Sequence, residues 1–243
     1  MGMYVWYSKS TSVTGKALRI ALNCEGGIHA PKRRHNPVVI WGAVPKTVSS
    51  RVLRNKKVLN DPFLIRAYTD KYLALTEIQA KGVQVPPFSL YPNTLSFPMI
   101  RRSNHHSGGR GFELFTEPCD LDTIPNKHYL SFVPSDAEYR VHVFLGEVIK
   151  VSRKKPLHDN AIDTCRSHAN GWMFSKCDID RVPDAIKEQA VKAVEALSYD
   201  FGAVDILYTR GGKATVLEVN SGMGLDNSGV ALYVSHILDW ATI

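Results

Sequence analysis

Two periodicities divide the chain. Met3–Tyr7 and Val38–Trp41 are short apolar runs that read as buried strands, and a helix is expected between them over residues 15–23. Asp61-Pro62 opens a helical stretch, Asp70–Ala80 keeps helical spacing, and Lys81-Gly82 closes it like a C-cap. Val85–Pro92 is extended and stiffened by proline, which suits a hinge between lobes. Phe97–Arg102 and Phe112–Phe115 read as strands around the glycine-rich bend 107–111. Glu138–Phe144 alternates and returns through Gly146 into Val148–Ser152, with Arg153-Lys154-Lys155 at the end of that strand. The alternation puts Glu138, Arg140 and His142 on one polar face. A polar loop over 163–174 holds Arg166, His168, Asn170 and Trp172. Pro183-Asp184 starts an amphipathic helix with Ile186, Ala190, Val194 and Leu197 on one stripe. Asn227 is expected to cap a last helix facing inward through Val230, Val234 and Leu238.

The hairpin before that last helix carries the sharpest chemical signal. β-rich runs over 202–209 and 213–220 flank Gly211-Gly212, a type I′ turn signal. A two-residue loop there pairs positions whose numbers add to 423, so Asp205 faces Glu218, with Asn220 on the same face. Carboxylates that close repel each other. Three oxygen donors, two of them anionic, suit Mg²⁺ or Mn²⁺, and Mg²⁺ keeps waters and binds nucleotide phosphates. The bland alternative is a solvated polar face.

Composition narrows the field only a little. The 243 residues are 44% hydrophobic and 22% charged, an ordinary globular balance with ample core. The net charge of +7 favours an anionic partner: a nucleotide, a polyphosphate or a nucleic acid. Lys32-Arg33-Arg34 and the run 51–57 are the candidates for nucleic-acid contact. No apolar run reaches membrane-span length, and no export signal is read at the start. Cys24, Cys119, Cys165 and Cys177 are dispersed without a CxxC pair, so free thiols in a cytoplasmic setting are expected. Walker and Rossmann glycine patterns are absent.

Taken in order, Asp70-Lys71, Pro98–Arg102, the flap 108–111, Glu138-Tyr139-Arg140-Val141, Arg166-Ser167, and Asp205 with Glu218-Val219-Asn220 resemble the ATP-grasp superfamily. The likeness is to its RimK-type carboxylate–amine ligase branch and to short ATP-grasp proteins of tailed bacteriophages. It covers residues 60–225. The resemblance implies an α+β ATP-grasp fold, with two α+β lobes gripping a nucleotide behind a short N-terminal αβ lobe. The expected divisions are 1–60 for that lobe, 61–134 for connector and lid, and 135–243 for the C-terminal lobe with the metal site. Lys71 matches a lysine that touches the nucleotide. Arg102 stands where the family usually has a lid-strand lysine, and its fork also suits phosphate. Gly108, Gly109, Arg110 and Gly111 form the flap over the triphosphate. Ser131, Phe132 and Val133 match the adenine-contacting hinge, without the acidic residue usual near Ser131. Arg153 and Lys154 face the nucleotide, and Arg140 and Arg166 match catalytic arginines. Asp205, Glu218 and Asn220 match the metal triad.

The activity implied is ATP-dependent, ADP-forming ligation of a carboxylate to an amine. The substrate is expected to be an amino acid, a peptide or a modified nucleotide, with a nucleic-acid acceptor also allowed by the charge. Phosphoryl transfer asks the protein mainly for positioning and charge neutralisation. His106, His142 and His168 are the candidate bases by chemistry alone. Two other classes stay open: an inactive nucleotide- or nucleic-acid-binding module, and an ATP-grasp kinase.

Overall fold

A computed structural model describes residues 2–42, 50–105, 111–119 and 121–243. Three sheets organise it. The first is parallel, in the order β2-β1-β3-β4, from β1 (Gly2–Tyr7), β2 (Glu25–Gly27), β3 (His35–Trp41) and β4 (Val58–Leu59). Helix α1 (Val13–Ala21) links β1 to β2 and begins where the Ser12 hydroxyl accepts the Gly15 amide. It starts and ends two residues earlier than the sequence spacing implies.

Two short helices follow. In α2 (Pro62–Ala67) Asp61 is the N-cap and Pro62 occupies the first turn, where its missing N–H costs nothing. In α3 (Lys71–Ala80) Asp70 accepts the amides of Tyr72 and Leu73, and Gly82 takes the left-handed φ of +78° that ends the element. The second sheet is antiparallel, in the order β5-β8-β6-β7, from β5 (Phe88–Ser89), β6 (Met99–Ser103), β7 (Glu113–Phe115) and β8 (Lys127–Ser131). The proline-rich connector is thus partly a strand, since Phe88 and Ser89 pair with Leu130 and Tyr129.

The third sheet is antiparallel, in the order β11-β10-β9-β12-β13. Its strands are β9 (Ala137–Phe144), β10 (Glu147–Pro156), β11 (Trp172–Cys177), β12 (Phe201–Tyr208) and β13 (Ala214–Asn220). Helix α4 (Asp184–Ala196) covers one face with Ile186, Ala190 and Val194. Helix α5 (Asn227–Thr242) covers the far end of the other face, below the Phe144, Phe201 and Trp41 rings.

Two expectations for α5 are corrected. The N-cap is Asp226, whose carboxylate accepts the Gly229 amide at 2.7 Å and also binds Lys150. Val230 and Val234 pack against the core as expected, but the fully buried line is Gly229, Tyr233 and Ile237 and Leu238 is exposed, so the centre of the inward face lies about one residue, roughly 100°, from the expected stripe.

The first and third sheets share both hydrophobic clusters. One joins Tyr4, Trp6, Val38 and Ile40 to Val141, Val143, Val204 and Ile206. The other joins Val5, Val39 and Trp41 to Phe144, Phe201 and Tyr233. The buried apolar residues of the second sheet, Met99, Tyr129 and Leu130, belong to neither.

Candidate active site

One face of the five-stranded sheet and the underside of the second sheet enclose a cavity of about 800 Å³. Across the floor, from one edge to the other, stand Trp172 and Phe174 on β11, Lys154 on β10, Glu138 and Arg140 on β9, Asp205 and Leu207 on β12, and Glu218 on β13. Strand register builds this row. Asp205 pairs with Arg140 on one side and with Glu218 on the other, and Leu207 pairs with Glu138. The roof supplies Ile100 and Arg102 from β6, and opposite them Leu130 and His128 from β8.

The floor is a belt of ion pairs. Arg140 donates through Nε and Nη2 to the two oxygens of Asp205, both at 2.6 Å, and its guanidinium lies 4.4 Å from the centre of the Phe174 ring. Such a fork holds the carboxylate in one orientation. Lys154 donates to Glu138 and to the Arg166 carbonyl, each at 2.5 Å. Lys71 sits 3.4 Å from Glu218, and the Asn220 amide nitrogen donates to Glu218 at 2.9 Å. The repulsion expected between Asp205 and Glu218 is therefore relieved by one cation on each flank.

The electrostatics follow from burial and these pairs. Burial raises the Glu138 carboxyl above its usual range, with Lys154 opposing. Burial pulls the Arg140 guanidinium down, but Asp205, Glu218 and Glu138 outweigh it and hold the group above its ordinary value.

The hairpin reaches the expected Asp205–Glu218 pairing by a different route. Thr209 bonds Lys213, so the loop has three residues, Arg210 to Gly212, and only Gly212 takes a left-handed φ, +85°. Near the turn, partner numbers add to 422, as in Tyr208 with Ala214. A β-bulge between the pairs 206–216 and 205–218 adds one residue, Leu217, and restores 423. The bulge also lets Leu217 and Glu218 both line the cavity.

Of the candidate bases, His142 is out of reach. Its face of β9 is cavity at Glu138 and Arg140 but lies under α5 at His142, whose Nδ1 is 3.2 Å from the Tyr233 hydroxyl. Burial, then Arg140, lowers its pKa to about 3. His168 lies on the cavity rim, exposed, and His106 lies outside the described residues. A histidine that the sequence did not single out lines the roof. His128 is held through Nδ1 by Asn104, which in turn donates to Asp70. Burial, then Arg102, lowers its pKa to about 4, so it is neutral near pH 7.

Arg166 comes to the cavity on the loop between β10 and β11. Asp163 holds it at 2.6 Å, the Ser135 carbonyl at 2.8 Å, and Trp172 lies beneath it at 5.1 Å. Ser131, Phe132 and Val133 line the apolar end. The Ser131 and Phe132 amides already donate to Pro87 and Pro98, which leaves the Val133 amide without a backbone acceptor among the described residues.

Lys71, Arg102, Ser131, Phe132, Val133, Arg140, Lys154, Arg166, Asp205 and Glu218 thus converge on one cavity. Asn220 stands behind Glu218 rather than on the cavity wall. Arg153 is corrected outright: it lies on the opposite face, exposed, over Tyr139. Gly108, Gly109 and Arg110 lie outside the described residues, and Gly111 is exposed and not part of the lining. Phe174 and Trp172 were legible only as loop residues, although their i, i+2 spacing is that of a strand face. Among the described residues no three of His, Cys, Asp or Glu converge as a metal cluster. The candidate ion site is two carboxylates and one amide.

No protein-family model and no curated protein sequence matches the chain. Solved structures do. The ATP-grasp ligase PsnB complexed with its minimal precursor aligns over 98% of this chain and 99% of that one, at 14% identity and a TM-score of 0.67. D-alanine–D-alanine ligase from Bacillus anthracis complexed with ATP aligns over 99% and 96%, at 13% identity and 0.68. The macrocyclase MdnC bound with precursor peptide MdnA, from Microcystis aeruginosa MRC, aligns over the whole of both chains at 10% identity and 0.64. The fold is the ATP-grasp fold.

Proposed function

We propose that the chain is an ATP-dependent ligase that activates a carboxylate as an acylphosphate, releases ADP, and passes the acyl group to an amine. One observation carries this: two facing carboxylates, Asp205 and Glu218, stand on the floor of a cavity beneath Arg102, each neutralised by its own cation. A pure binding module has no use for two carboxylates forced side by side.

The donor set fits a hard divalent cation. Asp205 and Glu218 would hold it, with Asn220 as the third oxygen donor, and each carboxylate has lone pairs beyond those used by Arg140 and Lys71. When bound, Mg²⁺ supplies charge neutralisation on phosphate oxygens. The protein groups do the rest. Leu130, Ile100 and Leu217 wall the apolar end for a base, and the Val133 amide is placed to donate to it. Arg102 and Lys154 attract the phosphates. A substrate carboxylate oxygen attacks the γ-phosphorus and ADP leaves. The amine nitrogen then attacks the acyl carbon, phosphate leaves, and the nitrogen gives up a proton. Arg140 and Arg166 stabilise the charge that develops in these steps. The second sheet excludes water from the reactive acyl group.

We extend the proposal to amino-acid, peptide or modified-nucleotide substrates, to the RimK-type branch, to kinship with the short phage proteins and to a cytoplasmic setting. These parts rest on the sequence motifs. Among the described residues no helix is long and apolar enough to cross a membrane.

The test is ADP release from MgATP across a pool of candidate carboxylates and amines. Turnover that depends on an added substrate is expected. Asp205→Asn, which keeps one acceptor for Arg140, is expected to lower turnover at least about 10²-fold while cooperative unfolding persists. Unchanged turnover in that variant would sink the metal assignment. Absence of turnover across the pool, with ATP bound, would favour a binding module.

A further inference from the structure

The positive charge of this chain is not where its cavity is. Of the cavity's cations, Lys71, Arg140, Lys154 and Arg166 are each matched by a carboxylate. The first 60 residues carry eleven Lys or Arg and a single acid, Glu25, whereas the rest of the chain carries nineteen Lys or Arg against twenty-two acids. The net excess of +7 therefore comes from the small parallel sheet and its loops.

Folding gathers part of that charge at one end. Residues 32–34 lead into β3, and residues 51–57 lead into β4, its parallel neighbour. Both loops thus lie at the amino end of the sheet. Lys56 joins them: its ammonium donates to the carbonyls of Lys32 at 3.0 Å, Arg33 at 3.1 Å and His35 at 2.5 Å. Lys57 is likewise committed, to the Trp240 carbonyl. These two lysines build the surface rather than serve it. Lys32, Arg33 and Arg54 are exposed and form no ion pair among the described residues. Beside Arg54 runs an open groove of about 660 Å³, with Arg51 and Arg54 facing Asp61 and Asp200 on its wall and Phe63, 36% exposed and carrying the Arg66 guanidinium 5.4 Å from its ring centre, as its aromatic lining.

We propose that this end of the small sheet is a docking surface for single-stranded nucleic acid. Guanidinium and ammonium groups on two adjoining loops track a phosphodiester backbone, and the groove offers the Phe63 ring to a base. An acidic peptide would meet the charge but gain nothing specific from the aromatic face. A membrane would need a cluster of exposed apolar side chains, and among the described residues of the groove Phe63 is the single large apolar one that is exposed. The surface is separate from the cavity and does not depend on its chemistry.

The test is fluorescence anisotropy of the full-length chain with a labelled 20-nucleotide single strand. With three phosphate contacts, raising salt from 50 to 200 mM is expected to weaken binding about twentyfold. Lys32→Glu, Arg33→Glu and Arg54→Glu together are expected to abolish binding and its salt dependence. Phe63→Ala is expected to weaken binding about tenfold while leaving the salt slope unchanged. Reversing the exposed Arg181 and Lys213 of the third-sheet region should change little. ATP turnover is expected to be unaffected in all of these variants, which keeps this test distinct from that of the ligase. Binding that survives the triple reversal would overturn the proposal. So would tighter binding of a polyglutamate peptide or of anionic vesicles than of the oligonucleotide.

Discussion

Arg140 and Asp205 set each other's position, and neither has a satisfactory life alone. Both are largely buried and joined by two charge-assisted bonds. Removing one partner strands a buried charge, at about 3–5 kcal/mol. Arg140→Met alone is thus expected to lose about that much in a denaturant titration, and Arg140→Met with Asp205→Leu to recover most of it. Additive losses in the double variant would show that the pair is not coupled. His142 offers a second measurement. Its pKa falls from 6.5 to about 3 on folding, so the unfolded chain binds more protons between those values. The sign is fixed: stability is complete above pH 6.5 and is lost as pH falls toward 3. Between pH 7 and pH 5 the loss from His142 is about 2 kcal/mol, and His142→Gln should remove that part of the slope. An unchanged slope would mean that the imidazole is not held neutral. Sequence alone made the Asp205–Glu218 pairing legible, because a strand alternates and a glycine pair marks its turn. It gave no sign that Arg140 would lie against Asp205, since that depends on which distant strand β12 chooses as its other neighbour.

At the scale of elements, the hairpin separates pattern from geometry. A type I′ turn would demand positive φ at both glycines, whereas here only Gly212 is left-handed. A Cβ on Gly211 would meet nothing closer than the Thr209 hydroxyl at 3.8 Å. Gly212→Ala is therefore expected to cost about 1 kcal/mol and Gly211→Ala close to nothing, read from thermal melts. Equal losses would restore the two-residue turn. The caps of α2 and α3 were legible because Asp61 and Asp70 stand directly before their helical runs. Strand β11 was not, because as a sheet edge it exposes Met173 and Phe174 and lacks the buried alternation that marks β9. The turn of α5 about its axis escaped for a related reason: its stripe includes Gly229 and Tyr233, which hydropathy ranks below the valines beside them.

The molecule as a whole is less divisible than its three sheets imply. Both hydrophobic clusters run from the first sheet into the third, so the described part of the first 60 residues has no core of its own. That stretch expressed alone is expected to show no cooperative melting transition, and a sharp transition would make it an independent unit. The second sheet stands apart from both clusters, which leaves it as the part able to lift away without breaking the core. The shared core has a corollary for the basic end of the small sheet. It cannot be a detachable cartridge, grafted on or trimmed off at will, because excising it would expose Phe144 and Phe201 of the larger sheet to water. A strand held there would be tethered to the entire particle, at a fixed distance from the cavity between the second and third sheets.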